Sequence, residues 1–465
     1  MDDETRELAR AVRRFLDDVV QSRLGDAEDT GPPLSEVVDA HLGTASKGLP
    51  VVREEVPDHQ FVDLDIALEL LSERGGGGDV VGVGGGEQRN HHGFADLLSN
   101  PWARFGVGAV DRVNLPTGPA STRRAVGFGV RLLRFAGTPL AVLQRAAQRQ
   151  FGLPGTIEVV CPDEEVVASF LAEVRRAVVE HSVLRGQVLS FSGSPYEPHN
   201  AGITFLPRPR VEASDVVLPP GALERIARHV VDVGTHARRL TAAGQHLKRG
   251  VLLYGPPGTG KTLTVRHLVS RAEGTTVVLL AGQALAHVTT AAHLARAMQP
   301  AIVVLEDCDL VAEDRGSDPG ERPLLFQLLD AMDGLDGDAD VAFLLTTNRA
   351  DLLERALAQR PGRVDLAVHV PLPDRAARLA LFRLYARGLP VSEQVLAEAA
   401  DRAEGVTASF ARELLRRAVL VGAEAGHDVR DDDVRTALDE LLSDAEELTR
   451  SLLGSQPAVG TESPA

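Results

Sequence analysis

Positions 255–262 read Gly255-Pro256-Pro257-Gly258-Thr259-Gly260-Lys261-Thr262, and each residue type in that run has a task in phosphate chemistry. The glycines let successive backbone N–H groups converge on a β-phosphate. Lys261 brings a fixed positive charge to the β- and γ-oxygens, and the Thr262 hydroxyl is suited to ligate Mg2+. Leu263 carries the cradle into the next element. A second pair of reactive groups, Glu306 and Asp307, ends the apolar run 302–305. Two carboxylates there divide two duties, one holding the metal shell and one polarising an attacking water. We assign the metal to Glu306 and the water to Asp307, with the duties exchangeable or shared, since the more usual order is Asp before Glu. A third group, Asn348, follows the apolar run 341–345 and Thr346-Thr347. Its amide can hydrogen-bond a γ-phosphate and a water together, which suits it to report whether the phosphate is present.

Each of these groups needs a strand to position it, and the runs 251–254, 302–305 and 341–345 are uninterrupted apolar segments of strand length. In a parallel α/β sheet, ligands gather at the carboxyl ends of the strands, so the strand ending in Glu306-Asp307 is expected beside the phosphate-loop strand. A helix over 263–272 follows the loop, and helical spacing returns at 395–402, 408–421 and 434–442, the last opened by the acids Asp431 to Asp433. Upstream, 125–133, 156–161 and 187–191 read as strands and 164–181 as an amphipathic helix. Prolines 195, 198, 207 and 209 suit an extended connection to a new domain. The expected fold class is α/β: a phosphate-loop parallel sheet with a C-terminal helical lid, preceded by a smaller N-terminal α/β region. The expected divisions are a helical segment at 1–72, a glycine-rich linker at 73–95, an α/β domain at 96–212, the sheet subdomain at 213–370, the lid at 371–447 and a disordered tail at 448–465.

The chain has 465 residues, 49 Lys and Arg against 66 Asp and Glu, and a formal charge of -17, which disfavours a general attraction to nucleic acid or anionic membranes. Cys161 and Cys308 stand far apart in apolar stretches, so no disulfide framework is read and a reducing cytoplasm fits. No run is long and apolar enough for a membrane span. Arg123, Arg124, Arg131, Arg134, Arg145 and Arg149 form the one sustained basic stretch, read as a solvated face or a contact for nucleic acid or an acidic protein. His91-His92 lacks companions at metal-ligand spacing and reads as loop.

Taken together, the phosphate loop, the run 329–335 (Leu-Asp-Ala-Met-Asp-Gly-Leu), Thr347-Asn348-Arg349 and Arg360-Pro361-Gly362-Arg363-Val364-Asp365 resemble the AAA clade of ring-forming motor ATPases over roughly residues 213–440. The resemblance implies ATP as substrate, Mg2+ as its companion ion, and a homo-oligomeric ring, a hexamer in that family. It also implies that Arg360 and Arg363 reach into the neighbouring subunit's γ-phosphate. Asn348 then corresponds to that family's sensor residue. Translocating members carry an aromatic residue between the second strand and the acid pair, whereas 282–298 has no Phe, Tyr or Trp; His287 or Val288 is left to occupy the loop tip. Three functions stay open: ATP-driven remodelling of a protein substrate, a nucleic-acid-dependent ATPase, and a nucleotide-gated scaffold that threads nothing.

Overall fold

The computed structural model describes residues 31–100, 105–148, 153–192, 202–308, 330, 339–349 and 364–443. Residues 1–30 of the expected helical segment, Arg149, most of 329–335, Arg360, Arg363 and the tail lie outside them. The chain divides into two compact units, Met1–Val183 and Leu184–Ala465.

The first unit is built on one antiparallel sheet. Its strands are β1 (Val51–Val56), β2 (Asp79–Val83), β3 (Val107–Gly108), β4 (Asp111–Pro116), β5 (Thr122–Phe135), β6 (Thr138–Arg145) and β7 (Gly155–Val160), in the order β1-β7-β6-β5-β2-β3, with β4 on β5. Among the described residues four helices accompany it: α1 (Leu34–Leu42), α2 (Phe61–Arg74), α3 (Phe94–Ser99) and α4 (Glu164–Glu180). Side chains alternate across a strand, and β6 shows the consequence. Leu140 and Val142 pack with Leu68 of α2 and Phe170 of α4, while Ala141 and Leu143 pack with Val38 of α1 and Phe94 of α3. Helices on both faces explain why β6 reads as a nearly unbroken apolar run.

Two expectations are corrected here. The segments expected at 1–72 and 96–212 are not separate domains joined by a linker at 73–95: among the described residues β2 pairs with β5 and α2 shares a core with β5. The glycines misled because close backbone approach demands the same residue as flexibility. A Cβ on Gly82 would stand 1.9 Å from the Ala109 carbonyl oxygen, so the strand position admits no side chain.

The basic stretch is likewise structural. Asp65 on α2 accepts hydrogen bonds from Arg131 at 2.5 Å, Arg123 at 2.9 Å and the Val126 N–H at 3.0 Å. Burial opposes ionisation of Asp65, but these donors outweigh it and hold the carboxyl below its ordinary range. Arg145 spans the Asn90 and His92 carbonyls and lies over the Phe128 ring, and the His92 ring packs on Phe105. Internal ties thus occupy Arg123, Arg131 and Arg145, whereas Arg124 is exposed.

The second unit starts at Leu184, earlier than the boundary expected near 212. Strands β8 (Val188–Ser192) and β9 (Gly202–Leu206) form a hairpin whose β8 joins β11 (Thr276–Ala281) in parallel. With β10 (Arg249–Tyr254), β12 (Ala301–Glu306), β13 (Val341–Thr347) and β14 (Leu366–His369), the sheet order is β14-β10-β13-β12-β11-β8-β9. The acid-bearing β12 is therefore not the neighbour of β10, as the sequence had suggested; β13 lies between them. Helices α5 (Lys261–Arg271) and α6 (Val288–Ala297) follow β10 and β11.

Four lid helices close the unit: α7 (Arg375–Tyr385), α8 (Glu393–Arg402), α9 (Ala408–Glu424) and α10 (Asp431–Leu442). Side chains of Asp374, Ser392 and Thr407 cap the first three, an interaction worth about 1 kcal/mol each. Phe382, Phe410, Leu414 and Val434 are fully buried in the lid core. The segment entering the unit staples lid to sheet, since Val217 packs on the lid core and Leu218 on the sheet core.

Candidate functional site

Strand register brings the three sequence-identified groups to one edge. Tyr254 pairs with Thr347, so the phosphate loop begins level with Asn348, and Leu305 pairs with Leu345, so Glu306 and Asp307 emerge beside Thr346. Asp307 donates its N–H to Thr346 Oγ1 at 3.1 Å, and Cys308 donates to the Thr346 carbonyl at 2.9 Å. Asn348 Nδ2 donates to Asp307 Oδ1 at 3.4 Å. Asp307 sits in the left-handed backbone region with φ at 54°, a conformation Asp and Asn tolerate better than other non-glycine residues.

Local geometry explains the loop composition. Gly255 has φ at 150°, and a Cβ there would stand 2.1 Å from the Val370 carbonyl oxygen. Gly260 caps α5 at φ 102°, which leaves the first N–H groups of the helix facing outward. Lys261 Nζ, buried, donates to the Gly255 and Pro256 carbonyls, each at 2.8 Å. Thr259 Oγ1 donates to Pro256 at 2.9 Å.

A cavity of about 630 Å3 opens here, with Lys261, Thr262, Asp307 and Asn348 on one wall and Leu381, Tyr385, Ser409 and Arg412 of the lid on another. Asp215, Val216 and Val217 complete it, as do Pro257 to Gly260 and Leu263 of the loop. The loop wall carries the cations Lys261 and Arg266 beside Asp307, and the lid wall sets Leu381, Leu384 and Tyr385 beside Ser409 and Arg412. Lid and loop touch directly, for the Ser409 N–H donates to the Gly258 carbonyl at 3.3 Å. Arg387 of the lid region binds Asp215 at 2.7 Å.

The two acids differ in setting. Asp307 lines the cavity, whereas Glu306 accepts a hydrogen bond from the Thr262 hydroxyl. Burial first, and then the neighbouring Asp307, push the Glu306 carboxyl above its ordinary value; Arg266 and Thr262 pull it back. A hydroxyl and a carboxylate, both hard oxygen donors, fit Mg2+.

Sequence reasoning missed Tyr385 and Ser409 of the lid wall, the segment 215–217 and Arg266. Arg266 had a readable signal, lying one helical turn beyond Thr262 on α5 and so on the same face. Tyr385 and Ser409 had none, because only tertiary folding brings them to the loop. The proposed loop tip is overturned: His287 and Val288 are both buried, His287 stacked on Phe191 with ring centroids 5.4 Å apart.

A phosphate loop between strand and helix, acids on a parallel strand of the same sheet and a helical lid over the crevice define a P-loop nucleotide-binding domain. Residues 251–372 match the model of the ATPase family associated with various cellular activities (AAA). The chain is similar to the ATP-dependent zinc metalloprotease FtsH of Synechococcus sp. (strain JA-2-3B'a(2-13)), 33% identical over 279 residues, 57% of this chain and 43% of the relative. FtsH 4 of Sphaerobacter thermophilus is 34% identical over 295 residues, 60% of this chain and 44% of the relative. The proteasome-activating nucleotidase of Methanocaldococcus jannaschii is 31% identical over 257 residues, covering 50% and 58%. The chain spans about half the length of these curated relatives. Among the described residues no helix is long and apolar enough to cross a membrane.

Proposed function

We propose that this chain binds and hydrolyses ATP and couples hydrolysis to the remodelling of a protein substrate, as a cytoplasmic homo-oligomeric ring, a hexamer by family resemblance. The observation that carries the reading is the convergence of Lys261, Thr262, Asp307 and Asn348 on a cavity walled on its far side by the lid. In this reading Gly255 to Leu263 cradle the phosphates, and Val216, Val217 and Tyr385 flank the base. Thr262 and Glu306 would hold Mg2+, which neutralises charge developing on the phosphates when bound. Asp307 orients and deprotonates the attacking water, Asn348 holds Asp307 and meets the γ-phosphate, and Arg360 and Arg363 act on the neighbouring subunit's site. The support for a protein substrate is the similarity to a zinc metalloprotease and to a proteasome-activating nucleotidase. Proteolysis itself is not carried over: no histidine of the 465 residues precedes a glutamate, so the His-Glu-x-x-His zinc motif is not in this sequence.

One observation favours a second reading, the scaffold that assembles with ATP and threads nothing. Between β11 and β12 the apolar side chains Leu285, Val288, Leu294 and Met298 are buried, and the exposed ones are Gln283, Thr289, Thr290, His293, Arg296 and Pro300. That surface offers a polypeptide little apolar grip. Direct titration with MgATP tests the shared premise: Lys261→Ala is expected to lose nucleotide binding, and a variant that binds as tightly as the parent would refute it. ATP-driven unfolding of a tagged substrate then separates remodelling from assembly alone.

A further inference from the structure

A second cavity of about 320 Å3 adjoins the nucleotide cavity, within the size range of ligand pockets, about 300–1,000 Å3. It sits at the hinge between sheet and lid, between Leu218, Pro219 and Val370 on one side and Ala377 and Ala380 of α7 on the other. The space follows from composition, since Ala376 and Ala380 fall on one stripe of α7 where longer side chains would fill the volume. Prolines 219, 220, 371 and 373 in the walls have no backbone N–H, so those stretches offer few donors.

Two polar side chains line the cavity, and each already holds a backbone group. The Asp374 carboxylate caps α7 by accepting the Ala377 N–H at 2.8 Å, and Thr259 Oγ1 donates to Pro256 at 2.9 Å. An anion would meet the Asp374 carboxylate and lose hydration against walls with few donors, whereas a neutral ring has little hydration to lose. Val217, Thr259, Leu381 and Ala408 line both cavities, so they form a shared partition.

We propose that this hinge cavity binds a small neutral aromatic molecule of one or two rings, and that its occupation is coupled to nucleotide binding across the shared partition. The site stands on its own walls; the coupling rests on the nucleotide reading of the neighbouring cavity. Coupling of this kind is reciprocal, because whatever displaces the partition for one ligand changes the affinity for the other by the same factor.

The test uses the full chain and 1-naphthol as probe, titrated calorimetrically with and without saturating MgADP. Expected are binding in both conditions, with dissociation constants differing by about fivefold or more. Lys261→Ala should still take up 1-naphthol, while Ala380→Phe and Ala377→Leu, which fill the cavity, should not. MgADP binding by either filled variant verifies its fold, so the failure of one to fold leaves the other to decide. Outright displacement of 1-naphthol by MgADP, or unchanged uptake in a folded filled variant, would overturn the site. Equal affinity with and without MgADP would overturn the coupling. A parent chain that takes up 1-naphthol but no MgADP would overturn the nucleotide reading and, with it, the coupling.

Discussion

Asp307 does two separable things, and a pair of substitutions tells them apart. Its backbone stands at φ 54°, and its side chain lines the nucleotide cavity within reach of Asn348. Asparagine keeps the shape and tolerates the left-handed conformation, so Asp307→Asn removes the charge alone. Alanine has no side chain to compensate there, and the left-handed region costs it roughly 1–2 kcal/mol. Asp307→Ala should therefore unfold at a lower temperature than Asp307→Asn, by several degrees at roughly 2–4 °C per kcal/mol.

Catalysis should not follow that order. If Asp307 is the base for the attacking water, both variants lose a positioned proton acceptor, worth about a hundred- to ten-thousandfold in rate. At 1.36 kcal/mol per decade that is about 3–5 kcal/mol of barrier, larger than the backbone strain and equal for the two. Both should still bind MgATP, because Lys261, Thr262 and Glu306 are untouched. Phosphate release under saturating MgATP gives the rates, and differential scanning calorimetry without nucleotide gives the midpoints. Hydrolysis by Asp307→Asn above a tenth of the parental rate would move the base assignment to Glu306. Coincident melting of the two variants would refute the strain argument.

Further outcomes are expected elsewhere in the chain. Arg360→Ala subunits, poor in turnover, should regain activity when co-assembled with Asp307→Asn subunits, since mixed interfaces pair an intact site with an intact arginine; a co-assembled mixture that stays inactive rules out catalysis in trans. Asp65→Asn should destabilise the first unit by about 3–5 kcal/mol, because Arg131 would be left charged and buried without its carboxylate; urea unfolding reads this. Asp63, which accepts Ser182 Oγ at 2.6 Å and the Val183 N–H at 2.8 Å, is pushed up by burial from its ordinary 3.8 to about 6. A raised folded-state value favours the protonated form, so its contribution is complete below pH 3.8 and is lost as pH rises through about 6. Asp63→Asn should flatten that decline and gain up to ~3 kcal/mol at neutral pH, an upper limit from a shift of about two units; unfolding midpoints from pH 4 to 7 that run parallel to the parent's would refute it.

The phosphate loop was legible because its chemistry acts through the backbone, and backbone geometry restricts residue type. Gly255 tolerates no Cβ against Val370, and Gly260 turns into α5 at positive φ, so the motif is written in the residues themselves. Gly82 shows the opposite case. Its sequence signature is that of a linker, but the cause is the Ala109 carbonyl pressed against it, from a segment the local pattern does not mention. The destination of β8 was hidden for a similar reason: apolar residues announce a strand without naming its partner, and pairing with β11 is a tertiary fact.

Strand order has a mechanical consequence for the site. With β13 between β10 and β12, Thr346 sits on, and Asn348 directly follows, a strand that touches both the phosphate-loop strand and the acid strand. Thr346 binds Asp307 and Cys308, and Asn348 binds Asp307, so a displacement of the acid turn is transmitted to the sensor strand through three hydrogen bonds. On the other side, the Gly258 carbonyl accepts the Ser409 N–H at the start of α9, which ties the loop to the lid. A nucleotide that draws Lys261 off the Gly255 and Pro256 carbonyls must rearrange this same loop. Loop, acid turn, β13 and lid are therefore linked by short-range bonds. That linkage is what a machine converting phosphate occupancy into lid movement requires, whether the movement acts on a bound protein or on the next subunit.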